Sequence, residues 1–287
     1  MKYVDICINL MHPSFDRDRK DLIENARKAG VTALIITGAS VKASCEAASY
    51  IEKNKEHSVE PQSIAPGSVQ KGSTLDAKCR LYFTTGVHPH EAKSLDEAGM
   101  ETLRNLGRSA AAIGECGLDY FRDYSPRHIQ RRCFEKQLEL AADLGLPLFL
   151  HEREAHADFT AMLKDFIQKV PAAVVHCFTG TGGELEAYLA LGCHIGITGW
   201  ICDERRGQHL GALVKKIPAS RLMIETDAPF LIPRDLPPIY SPQRKRQRNE
   251  PKYLPHIAAA IARHQGKDPD QLAQETYANT LKFFRIG

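Results

Sequence analysis

The chain has 287 residues, 43% of them hydrophobic, enough to bury one large core. Its 38 Lys and Arg against 35 Asp and Glu leave a formal charge of +3, which neither demands nor excludes a nucleic-acid partner. No stretch of about 18 uncharged apolar residues is present, Asp5 falls where a secretory signal needs apolar residues, and the eight cysteines form no CxxC pair; a soluble protein of a reducing interior, cytoplasmic or nuclear and without a membrane partner, is expected.

Eight short apolar runs read as strands: Tyr3 to Asn9, Val31 to Thr37, Leu81 to Val87, Ala110 to Cys116, Pro147 to His151, Ala173 to Cys177, His194 to Thr198 and Leu222 to Asp227. Their apolar residues are nearly continuous, as in strands covered on both faces. Between most of them lies a helical segment. Leu22-Ile23-Ala26-Ala29, Phe134-Leu138-Ala141-Ala142 and Phe159-Leu163-Phe166-Ile167 recur at three and four residues, the spacing of one buried helix face. Strand and helix alternating eight times predict a single (β/α)8 TIM barrel over 1–287. The interval from His57 to Lys78 is rich in Ser, Pro, Gly and Gln and lacks periodicity, so a disordered insertion is expected there. After the eighth strand comes a polar, Pro-rich loop, Pro233 to Pro251. Two further helices, Pro255 to His264 and Asp270 to Phe284, are expected to cover part of the barrel.

Four runs end in polar signatures: Gly114-Glu115-Cys116-Gly117-Leu118-Asp119, His151-Glu152-Arg153, His176-Cys177-Phe178 and Glu225-Thr226-Asp227. In such a barrel all strand C-termini open on one face, so these groups meet over one cavity. Glu115 would be costly to bury without a partner, and His151 and His176 on consecutive strands supply imidazoles. With Asp227 they form a candidate ligand set for one or two divalent ions. Glu225 and Asp227, two apart on one strand, are expected to share a face; one binds metal while the other accepts a proton from water or supports a histidine. The competing readings are a structural ion pair for Glu115, core histidines at 151 and 176, and a helix cap at Asp227. Cys177 is expected to point away from the cavity and pack.

His88 and His90 share a face if the chain stays extended, and His88 is a candidate substrate contact or acid. Arg153 flanks the same cavity and suits an anionic oxygen, against a plain salt bridge with Glu152 or Glu154. Arg205, Arg206, Arg234 and the run Arg244 to Arg248 follow strand ends, where positive charge would hold a phosphodiester backbone; a solvated loop is the alternative. Tyr120, Phe121, Phe178 and Trp200 are candidates to stack on bases, against ordinary core packing.

Taken with Thr85-Gly86-Val87-His88-Pro89-His90, Ile195-Gly196-Ile197-Thr198-Gly199-Trp200, Asp203-Glu204-Arg205-Arg206-Gly207 and Arg248-Asn249-Glu250-Pro251, these signatures resemble the TatD family of metal-dependent deoxyribonucleases, within the amidohydrolase-like TIM barrels. The resemblance runs almost end to end outside His57 to Lys78. It implies Mg²⁺-dependent 3′ to 5′ exonuclease action on single-stranded DNA, with RNA as a further substrate and Mn²⁺ or Zn²⁺ as alternative ions, in DNA repair or fragmentation. It implies Glu115, His151, His176 and Asp227 as ligands, Glu225 as a supporting or catalytic group, and His88 and Arg153 along the substrate path. Many members carry His-x-His on the first strand, where this chain has Cys7 and Asn9, so a second ion would have only Glu115 and Asp227 beside waters and substrate oxygens. A monomer is expected. The rival functions are an aminoacyl-tRNA deacylase or another hydrolase of C–N or ester bonds, and a nucleic-acid-binding module without turnover.

Overall fold

The computed structural model describes residues 1–54, 78–205, 207–237 and 248–287. The expected insertion from His57 thus lies outside the described residues except for Lys78, as do Arg206 and the basic run from Arg244 to Gln247.

Eight parallel strands succeed one another around the barrel: β1 (Tyr3–Ile8), β2 (Val31–Ile36), β3 (Arg80–Thr85), β4 (Ala112–Asp119), β5 (Leu148–Arg153), β6 (Ala173–Val175), β7 (His194–Ile197) and β8 (Leu222–Ile224). They alternate with α1 (Arg19–Lys28), α2 (Val41–Lys53), α3 (Glu97–Gly107), α4 (Arg127–Leu144), α5 (His156–Lys164), α6 (Gly182–Ala190) and α7 (Gln208–Leu213); α8 (Leu254–Gln265) and α9 (Pro269–Phe284) follow β8. The seam between last and first strands closes at the mouth, where Ile8 bridges Ala228 in parallel, Asn9 N donates to Ala228 O at 2.8 Å and Asp227 N donates to Cys7 O at 2.9 Å. Among the described residues no helix is long and apolar enough to cross a membrane.

The nearly continuous apolar runs follow from burial on both faces of every strand. Inward residues Val4, Ile6, Ala33, Ile35, Tyr82, Ala112, Phe149, Val174 and Met223 fill the barrel, and Phe283 and Phe284 at the end of α9, with Ile286 just after it, pack onto them. Outward residues such as Leu34, Ile36, Phe83, Leu148, Leu150, Ile195 and Ile224 pack beneath the helices. Each fully buried aliphatic side chain contributes about 1.5–3 kcal/mol. The last helix therefore does more than cover the barrel: it completes the core.

Strand β4 carries the one break in this alternation that matters for the site. It runs beyond the expected end at Cys116, and its register against β5 shifts between Ile113 and Cys116. The shift leaves Gly114 at φ 141°, where a Cβ would stand 2.0 Å from Phe149 O, so only glycine fits. Ala112 faces the barrel interior, whereas Glu115, three residues on, faces the cavity above it.

Candidate metal centre at the barrel mouth

The strand ends enclose a cavity of ≈ 690 Å³. Glu115 is its hub: Oε1 lies 2.8 Å from His176 Nε2, 3.1 Å from His151 Nδ1 and 3.4 Å from His88 Nε2. Beside it, Asp119 Oδ2 is 2.7 Å from His90 Nε2 and 3.4 Å from His151 Nε2. Its Oδ1 accepts from the backbone N–H groups of Phe121 (3.0 Å) and Arg122 (2.8 Å), which fixes the turn after β4. The rings of His88 and His151 meet with centroids 4.3 Å apart, and those of His88 and His90 at 4.2 Å.

Asp227 closes the cluster from the seam. Its Oδ1 accepts from Asn9 Nδ2 at 3.0 Å and lies 3.5 Å from Cys7 Sγ. Glu225 does not share that position. Strand β8 ends at Ile224 and Asp227 adopts φ 55°, so the two-residue alternation expected to put both acids on one face does not hold. Asp227 lines the cavity, while the fully buried Glu225 stands behind His176, with Oε2 3.4 Å from His176 Nδ1 and Oε1 accepting from Cys177 N at 2.5 Å. Gly196 makes room for it, since a Cβ there would come within 2.6 Å of Glu225 Oε1.

Charge is distributed unevenly. Burial pushes Glu115 up, but His176 and His88 opposite it, with hydrogen bonds from His151 and His176, hold its carboxyl well below the usual range. Burial would make His176 less basic, yet Glu115 and Glu225 outweigh it and raise the imidazole well above its ordinary value. At His88 burial wins and the ring is held well below. Burial likewise dominates at Asp227, raised to about 7 against the pull of His176.

The donor set fits a divalent cation. Ligand atoms of His88, Glu115 and His151 lie within 4.8 Å of one another, and the buried His151 Nε2 is near Asp119 Oδ2 without the geometry of a hydrogen bond. Imidazole nitrogens and carboxylate oxygens turned toward one point are the donors such an ion takes.

His88 and Arg153 also line the cavity, with the Arg153 guanidinium 3.9 Å over the Phe121 ring. Arg205 pairs with Asp203 at 3.3 Å, and Arg248 pairs with Asp18 and Glu250 over the Phe15 ring; neither lines the cavity. Arg122, Asp119, Asn9 and His209 do, and sequence reasoning gave them no role. Asp119 had a readable signal, an acid four residues after Glu115 in the same signature, hidden by ending the strand at Cys116. Cys177 corrects another expectation. Strand β6 ends at Val175 and Cys177 takes φ 47°, so the chain turns and Cys177 joins the cavity wall. Phe178 is buried against Tyr188, with centroids 6.2 Å apart, and Tyr120 donates to Asp158 at 2.6 Å. Aromatic surface at the mouth comes instead from Trp200, Phe230 and Phe121.

A (β/α)8 barrel with histidines and carboxylates gathered at its strand C-termini has the architecture of the metallo-dependent hydrolases. A family profile described as TatD related DNase matches residues 4–285. The chain belongs to the TatD family. It is 44% identical over 286 residues to the 3′-5′ ssDNA/RNA exonuclease TatD of Edwardsiella piscicida, covering 99% of this chain and 100% of that protein. The exonuclease of the same name from Erwinia tasmaniensis is 44% identical over 284 residues, at 98% and 99% coverage. Among solved structures, a TatD homologue from Escherichia coli shares the fold with a TM-score of 0.82 at 24% identity, covering 99% of this chain and 98% of that one. A TatD family hydrolase from Entamoeba histolytica does so at 0.81 and 24%, with the same coverage.

Proposed function

We propose that the chain is a Mg²⁺-dependent 3′ to 5′ exonuclease acting on single-stranded DNA, with RNA as a second substrate, in DNA repair or fragmentation. The observation that carries this reading is the convergence of His88, His151 and His176 on Glu115 at the floor of a cavity with two unlike walls. Arg122 and Arg153, from the ends of β4 and β5, line one part of it; Trp200, Phe230 and Leu231, from the connections after β7 and β8, line another. Guanidinium suits phosphate oxygens and flat apolar groups suit bases, so a strand end has a place for its backbone and a place for its terminal base. The named function of relatives 44% identical along their full length supports the same choice.

Glu115, His151, His176 and Asp227 would hold the ion, which when bound makes water a stronger acid and neutralises charge on the phosphate. Asp227, in the cavity wall, takes the proton from the attacking water. Glu225 is out of reach of substrate and orients His176 through Nδ1. A monomer is the proposed state.

Purified protein incubated with 3′-labelled and 5′-labelled single-stranded DNA in Mg²⁺ tests the reading, with Glu115→Ala in parallel. The expected result is stepwise shortening from the 3′ end that the variant lacks entirely. Internal cuts, shortening from the 5′ end, or release of amino acid from aminoacyl-tRNA with DNA left intact would overturn it.

A further inference from the structure

Away from the cavity floor a second group of metal-type donors converges. Cys202 ends the short turn Gly199–Cys202 after β7, Asp235 stands in the connection after β8, and His256 lies in the first turn of α8. One donor atom from each lies within 4.8 Å of the other two, and His256 Nε2 is 2.6 Å from Asp235 Oδ1. Cys202 is buried, while the Asp235 side chain is 40% exposed and that of His256 18%. A soft donor thus sits at the base with harder donors above it, open to an ion from solvent. Burial and the neighbouring Asp235 carboxylate push the Cys202 thiol up, against the opposing charge of Arg263. A cation bound there would displace the thiol proton to solvent.

We propose that Cys202, Asp235 and His256 form a second metal site, selective for a thiophilic ion such as Zn²⁺. Thiolate and imidazole together favour Zn²⁺ over Mg²⁺, which prefers oxygen ligands and retains its waters. Three protein donors leave one tetrahedral position for water. The three come from three separate segments, so a bound ion ties the turn after β7 and the connection after β8 to the start of α8. Trp200 lies in that turn, and Phe230 and Leu231 precede Asp235 in that connection. The ion would fix the apolar wall of the cavity without touching substrate. Without an ion the same side chains are held together by hydrogen bonding alone, and the two states are spectroscopically distinct.

Cobalt(II) is the probe, added to the metal-free full-length protein. A thiolate-to-cobalt charge-transfer band should appear and saturate at one thiolate-bound ion per chain. It should survive in Glu115→Ala, Cys7→Ser and Cys177→Ser, be lost in Cys202→Ser, and need at least tenfold more cobalt in His256→Ala. Zn²⁺ should abolish it stoichiometrically, and millimolar Mg²⁺ should leave it unchanged. Absence of the band in the wild-type protein overturns the site whatever the variants do, as does a band that persists in Cys202→Ser or vanishes in Cys7→Ser or Cys177→Ser.

Discussion

Glu115, His151 and His176 are readable because a charged or ionisable group at the end of an apolar run is costly unless something meets it. The place of Glu225 is not readable, since that depends on where β8 stops. It is fully buried behind His176, and its proposed role is to orient that imidazole. Glu225→Gln should lower metal affinity by about 10–100-fold, with turnover largely restored in excess metal, as read by activity against metal concentration. A loss that no metal concentration repairs would instead make Glu225 a proton acceptor. A second residue acts on stability. Burial and the charge of Arg221 lower His194 to about 4, and its ring packs on the edge of Phe283 with centroids 5.1 Å apart. The unfolded chain takes up this proton below about pH 6.5, while the folded chain resists until about pH 4. Stability from this group is thus complete above about 6.5 and falls by roughly 3 kcal/mol as pH drops toward 4. Urea unfolding across that interval should show a shallower decline in His194→Gln than in wild type; equal slopes would refute the assignment.

At the level of elements, all eight strands and both helices after β8 are legible, because burial on two faces leaves an unmistakable apolar run. Their ends are not. β4 and β5 continue to Asp119 and Arg153, while β6 and β8 stop at Val175 and Ile224, because a strand ends where its neighbours' ladder ends. The bulge at Gly114 is equally invisible, since a glycine before a glutamate does not announce the backbone angle it must adopt. Gly114→Ala is expected to cost about 4 kcal/mol and to abolish metal binding by displacing Glu115, whereas Gly145→Ala should cost only about 1 kcal/mol. Gly145 also has positive φ, 61° at the end of α4, but nothing lies within 4 Å of the position a Cβ would take. Denaturation midpoints of the two variants separate clash from backbone preference; similar losses would mean that the bulge can relax.

Across the whole molecule, the alternation of strand and helix made the barrel legible, but it did not show how the inner core is finished. Phe283, Phe284 and Ile286 pack on the strand residues that fill the barrel and join α9 to β1 and β8 through that core. Phe283→Ala should destabilise by about 3–5 kcal/mol, lowering the melting temperature while sparing metal affinity in whatever protein remains folded. Reduced affinity in the folded fraction would show that the strand ends depend on that packing.

The seam that joins Asn9 to Ala228 has a temporal consequence. During synthesis, Glu115, His151 and His176 emerge well before Asp227, which reaches its place only when the last strand docks on the first. A partly made barrel holds three of its four candidate ligands and lacks Asp227. Under the roles proposed above, cutting competence arrives with the closing of the ring, and a nascent or torn chain spares the nucleic acids around it.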